Sequence, residues 1–410
     1  MDCPRCGTPV PEAGLFCHAC GHDLSAGDRA RRSFAAKPDE PVRSFRLVSS
    51  IMPKGAAERP RTYQIAFGLT VLVAVVAALL GALPVAILVA ALAIPLIYIV
   101  YLYDVNLWED HPIPVTGLAF VLTLALGALF TWGWTTLRGP LIDARAFDQT
   151  ATPTAAGVLI AAVLVPVVGE LIRQLGPVIL ASRPEFDDLM DGLSFGVISG
   201  VAFATADTLV KQWDLLTDGF HAPGQSFVTW TALLLLEGFV KPLVIGTATG
   251  IACAEFSGLG KGHDGFSKRY VLAVLEAIAW NALYFGGTYL LSFVTPPWLG
   301  LVLSLVLGAA LLAALLLRVR SVLQTGLVEA ALESAARHGE GGVGASGELD
   351  HCANCEMPLV ASATFCSHCG LAQSATVAAR LHPREAALAA AGPAPTAPDD
   401  ARNDDLEARS

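Results

Sequence analysis

Between Tyr63 and Leu317 the chain passes through one uncharged or nearly uncharged stretch after another. Each is about the 20 residues that a helix needs to cross a bilayer core. Polar positions gather in the short segments between them and at the two chain ends. The pattern predicts about eight spans, over 63–83, 84–103, 114–134, 154–181, 191–211, 227–254, 270–293 and 297–317. Pro84, Pro112 with Pro114, Pro153, Pro184 and the Pro296-Pro297 pair stand at the joints, where a residue without an amide proton disrupts no helical ladder. The implied fold class is an all-α polytopic membrane protein with its membrane domain over 63–317. The helical composition after Arg318 extends the last span as a juxtamembrane helix over 318–345.

Hydrophobic residues make up 54% of the chain and charged ones 15%, a balance that excludes an ordinary soluble domain. The net charge of −10 bears little on orientation, which follows the Lys and Arg of the short loops. Arg43, Arg46, Lys54, Arg59, Arg61, Lys261, Lys268, Arg269, Arg318 and Arg320 all fall on one side if the span count is even. The other side has Arg138, Arg145 and Lys211. A multi-pass protein of the cell membrane with both termini cytoplasmic is expected. The first sixty residues contain no apolar stretch of signal-peptide length.

Eight of the nine cysteines form two matching units. Cys3-x-x-Cys6, ten residues, Cys17-x-x-Cys20 is repeated as Cys352-x-x-Cys355, ten residues, Cys366-x-x-Cys369, and Pro9, Phe16 and Gly21 recur as Pro358, Phe365 and Gly370. Each Cys-x-x-Cys is a knuckle that aims two thiolates at one point, and two knuckles on a hairpin close a four-thiolate zinc shell. The expectation is a zinc ribbon over 1–23 and another over 350–372, holding two structural zinc ions. A module of about 22 residues buries too little apolar surface to fold without its metal. His18, His22, His351 and His368 are read as neighbours of the shells, and Cys253 as a small apolar core residue. Arg5 is the only Lys or Arg in either ribbon, so nucleic acid is not the expected partner. Other proteins, or the opposite ribbon, are. Residues 24–62 read as a flexible, weakly basic linker and 373–410 as a disordered tail.

Ionisable residues inside membrane spans are costly and are candidates for function. Here they are Glu170 and Arg173, Asp207, Glu237 and Lys241, and Glu276, with Asn281 as a polar neighbour. Glu170 and Arg173 are spaced i, i+3 and Glu237 and Lys241 i, i+4, so either pair can neutralise itself on one helix face.

The segment Val165-Pro-Val-Val-Gly-Glu-Leu-Ile-Arg-Gln-Leu-Gly176 resembles the Glu-Glu helix of the PrsW-like intramembrane metalloproteases, which belong with the CAAX-protease-type membrane enzymes. Asp188-Leu-Met-Asp-Gly-Leu-Ser-Phe-Gly-Val-Ile-Ser-Gly-Val-Ala-Phe-Ala-Thr-Ala-Asp207 is similar to that family's Gly-x-x-Phe-Ala-x-x-Glu helix. Tyr101 to Pro112 resembles its acidic loop, and Ala279-Trp-Asn-Ala282 falls at its His-x-x-Trp-Asn pattern. The resemblance implies a metal site of glutamates and two histidines. Its first glutamate falls on Gly169, its second on Glu170, its third on Asp207 and its last histidine on Ala277. The other histidine belongs near 242–245, which reads Pro-Leu-Val-Ile.

Catalytic zinc normally takes imidazole among its protein ligands. The leading expectation is therefore a protease-fold pseudoenzyme, a scaffold or sensor with Glu170 and Asp207 as remnants of a catalytic site. One alternative is an active protease with a carboxylate-rich site; the other is a transporter of small solutes or ions using the same charges.

Overall fold

In hydrocarbon every backbone N–H and C=O must be satisfied within the protein, and a helix satisfies its own. The computed structural model describes residues 2–11, 13–24, 62–82, 84–89, 91–93, 97, 113–138, 152–181, 189–217, 227–257, 265–339, 350–360 and 363–373. The linker over 25–61, the acidic loop over 101–112, residues 340–345 and the tail over 374–410 lie outside them.

The apolar stretches are helices: α1 (Thr62–Leu79), α2 (Ile113–Arg138), α3 (155–181), α4 (Leu189–Lys211), α5 (227–257), α6 (Lys268–Leu291) and α7 (Pro297–Gly339). The last six each contain a stretch long and apolar enough to cross a membrane. These match the third to eighth expected spans to within a few residues, apart from α7. Of the two further spans expected at the start, α1 covers the first, and only residues up to 97 of the second are described. With 43 residues α7 is about 65 Å long, about twice the bilayer core. Its far half packs back on the start of α4, where Gly326 faces Met190 and Leu189.

Both α3 and α5 are interrupted by wider π-helical turns, Ile160–Leu164 and Ala232–Val240. Each interruption ends just before a proline, Pro166 or Pro242. A proline has no N–H to offer the preceding turn and its ring collides with the carbonyl four residues back, so the helix loosens there.

The centre of the domain is α4, 83% of whose span is buried against 22% for α2. Leu118, Val121, Leu122, Leu129 and Trp132 of α2 are exposed, while Ala119, Thr123, Thr131 and Trp134 turn inward. Helix α4 packs most extensively on α5, and the contact is backbone to backbone. A Cβ built on Gly196 would lie 2.7 Å from the Cα of Gly250, and one on Gly200 would lie 2.6 Å from the Cα of Gly246. Lipid tails are as apolar as leucine, so close packing over small residues is what joins helices here.

Each ribbon is two knuckles carried on single bridges, Asp2 to Pro9 and Phe16 to Asp23 in one, His351 to Pro358 and Phe365 to Ala372 in the other. Gly7 and Gly21 take positive φ in the first, Glu356 and Gly370 in the second. Glu356, at φ 58°, is the one place where the second ribbon holds a side chain in a left-handed turn that the first gives to glycine.

Replacing Gly200 with Leu is expected to destabilise the domain by about 1–3 kcal/mol or more, read as a lower melting temperature in detergent. Gly133→Ala, where nothing lies within 4 Å of the added carbon, should be neutral or stabilising. Equal behaviour of the two variants would refute the close α4–α5 contact.

Candidate metal centres and buried charge networks

The knuckles bring the four thiols of each ribbon within 4.8 Å of one another. Cys3 and Cys20 are 3.7 Å apart, Cys6 and Cys17 3.6 Å, Cys352 and Cys369 3.7 Å, and Cys355 and Cys366 3.7 Å. A tetrahedron of zinc–sulfur bonds of about 2.3 Å has edges of about 3.8 Å, and a disulfide is far shorter at about 2.05 Å. Both clusters therefore suit a metal ion and neither is a pair of disulfides. Burial holds the imidazoles of His18 and His368 below their ordinary pKa, so both are neutral neighbours of the thiols at pH 7.

Five of the six ionisable candidates of the membrane domain fall in two buried networks. Glu170 projects from α3 just after the Pro166 interruption and is fully buried. Its Oε2 accepts from Arg173 Nη2 at 2.6 Å and Nε at 3.2 Å, from Thr249 of α5 at 3.1 Å and from Asn281 of α6 at 3.3 Å. Its Oε1 accepts from Gln174 at 2.6 Å. The Gln174 carbonyl in turn accepts from Cys253 and Tyr270, each at 3.1 Å. The guanidinium of Arg173 lies over the Phe203 ring, 4.7 Å from its centroid, a favourable cation–π position. Its Nη1 sits against Gly169, where a Cβ would come within 2.9 Å.

The second network begins one turn along α4 from Phe203. Asp207 Oδ2 accepts from Lys211 at 2.7 Å and from Lys241 of α5 at 3.0 Å, and Oδ1 accepts from Thr131 of α2 at 3.3 Å. Lys241 also pairs with Glu237, which accepts from Thr208 at 3.3 Å. Two carboxylates and two ammonium groups make this network neutral, as one carboxylate and one guanidinium do the first.

The sequence model of one family, described as PrsW family intramembrane metalloprotease, matches residues 114–315. The membrane domain belongs to the PrsW family. No curated protein and no solved structure matches the chain. The match runs from α2 into α7 and leaves both ribbons outside it.

Within the PrsW domain the structure gathers Glu170, Arg173 and Asn281 in one network and Asp207, Glu237 and Lys241 in the other. Glu276 belongs to neither. It is partly exposed, accepts from Trp280 at 3.3 Å and pairs with Arg318 of α7 at 3.3 Å. Lys211, read from the sequence as a loop cation, is the buried last residue of α4, because Asp207 stands one turn before it. Cys253 is a core residue that also donates to Gln174. Sequence reasoning passed over Gln174, Thr249 and Thr208, which bridge helices, and over the pairing of Lys211 with Asp207. The one signal for two of them was a polar side chain one turn from a candidate acid, Gln174 after Glu170 and Lys211 after Asp207.

Four hydrogen bonds converge on Glu170 Oε2 and one falls on Oε1, so a metal here would have to displace the Arg173 guanidinium or compete with its charge. Among the described residues only the two cysteine clusters bring three or more such ligand groups together. The side chains around Glu170 do not suit the family's metal.

Removing Arg173 strands a buried carboxylate, a change that costs about 3–5 kcal/mol in buried pairs. Arg173→Met should therefore lower the melting temperature in detergent sharply, and Glu170→Gln with Arg173→Met should recover most of the loss. An unaltered melting temperature for the single variant would contradict the pairing.

Proposed function

We propose that the chain is a PrsW-fold pseudoenzyme, a membrane scaffold or sensor that does not hydrolyse peptides and uses its two ribbons as zinc-dependent interaction modules. The observation that carries this reading is the fully buried ion pair of Glu170 with Arg173. A catalytic metal needs ligands with free lone pairs and an open position for water, and here Arg173 supplies the positive charge that the carboxylate requires. In the same way Lys211 and Lys241 neutralise Asp207 and Glu237. The ribbons take zinc because four thiolates at tetrahedral spacing favour a soft-ligand ion and leave no open position for catalysis.

The second reading is an active intramembrane protease with a carboxylate-rich site, favoured by the family match itself. Metal content and activity separate the two. The intact protein should bind about two zinc ions, and a variant with Cys3, Cys6, Cys352 and Cys355 changed to Ser should bind none. Neither should cleave a labelled membrane peptide. A chelatable metal that persists in the four-cysteine variant and is released by Glu170→Gln would establish the protease reading instead.

The ribbons are assigned to the cytoplasmic side of the cell membrane. Lys211 is neutralised inside the domain, so Arg138 and Arg145 alone oppose the basic residues of the other side. A reporter active only in the cytoplasm should score when inserted near Lys261 and fail near Gly219; the reverse would invert the assignment.

A further inference from the structure

The two ribbons, more than 300 residues apart in the chain, meet edge to edge. The amides of Leu15 and Phe16 donate to the carbonyl of Ser367 at 2.8 and 2.9 Å, and the amides of Thr364 and Phe365 donate to the carbonyl of His18 at 3.0 and 2.9 Å. In the repeat Leu15 corresponds to Thr364, Phe16 to Phe365 and His18 to Ser367. The four bonds are thus two copies of one pattern, the self-complementary contact of a two-fold pair. Side chains repeat the symmetry. The Phe365 ring lies against Gly21, where a Cβ would come within 2.9 Å of it, and the Phe16 ring lies against Gly370 at the same spacing. Both glycines close a knuckle at positive φ, so each serves its own metal shell and carries the other ribbon's ring.

We infer that the two ribbons are one split two-metal unit, a clasp in which each ribbon's metal helps to hold the other's fold and which joins the two ends of a single chain. The physical basis is size. About 22 residues cannot provide a core, and each ribbon alone would leave the backbone groups at this edge without a protein partner. The partner covers that edge and supplies an aromatic ring. Metal binding at one ribbon stabilises its folded form, which is the form the other pairs with, so the two metal sites are coupled, and the coupling must be reciprocal. The clasp also puts residues 24 and 350 on the same side of the membrane, which requires an even number of crossings between them. With six spans from α2 to α7, α1 and the segment after it together cross twice or not at all. The inference rests on the cysteine clusters being metal sites and is independent of whether the membrane domain is an enzyme.

Zinc release from the full chain, followed as a chelator is raised, tests it. In Cys3→Ser with Cys6→Ser only the C-terminal shell remains, and its zinc should leave at about tenfold lower chelator than the same shell's zinc does in the wild type, within the range usual for coupled sites. Phe16→Ser leaves all eight ribbon cysteines in place and should shift release from the C-terminal shell in the same direction, which keeps the test valid if the cysteine variant folds poorly. Phe365→Ser should do the same to the N-terminal shell. Unchanged release from the remote ribbon in both Phe variants would overturn the clasp. Differently tagged wild-type copies should not co-purify through the ribbons. Co-purification abolished by Phe16→Ser would place the pairing between chains and overturn the single-chain arrangement.

Discussion

A carboxylate in hydrocarbon must be neutralised locally, and much of the geometry of this membrane domain follows from that requirement. Glu170 is matched by Arg173 on its own helix, but Asp207 is matched by Lys211 and by Lys241 of α5. The second match needs α4 and α5 close enough for a lysine to reach across. Gly196 and Gly200 against Gly250 and Gly246 provide that approach. Thr249, on the same helix α5, also donates to Glu170 of α3. Backbone contact and charge neutrality are thus two sides of one arrangement, and a side chain added at the glycines would separate the charges as well as the helices.

The parts of this architecture legible in the sequence are those written in short spacings. Two thiols three residues apart can only face one point, and a repeat of the whole cysteine pattern identifies both ribbons. A run of about 20 apolar residues identifies a span whatever it packs on. Carboxylates and cations three or four residues apart on one helix also lie close together whatever the tertiary fold. Contacts between elements left no such trace. Thr249 and Glu170 are 79 residues apart and Asn281 and Glu170 are 111. Helix α4 is buried nearly all round, so its hydrophobic pattern has no face to point inward and gave no hint of what Asp207 meets. The ends of the π-helical turns were signalled by Pro166 and Pro242, which mark where the ladder breaks but not how it repairs.

The ribbons and the membrane domain solve the burial of charge in different ways. In a ribbon, thiolates repel one another and only a shared cation makes the cluster stable, so the fold waits for metal. In the membrane domain Arg173, Lys211 and Lys241 of the chain itself pair with the buried carboxylates.

Gly169 ties the loss of one family ligand to the position of Arg173. By the family resemblance this residue stands where relatives place the first glutamate of their pair. The guanidinium Nη1 occupies the space beside its bare Cα, under van der Waals distance from any Cβ that a glutamate would bring. A glutamate there would push the guanidinium out of its place over Phe203 and add a second carboxylate to a network that now balances. A glutamate at this position and the guanidinium in its present place are therefore mutually exclusive. Gly169→Glu with the loss of Arg173 would leave two negative charges, the number one divalent cation balances, whereas either change alone leaves one.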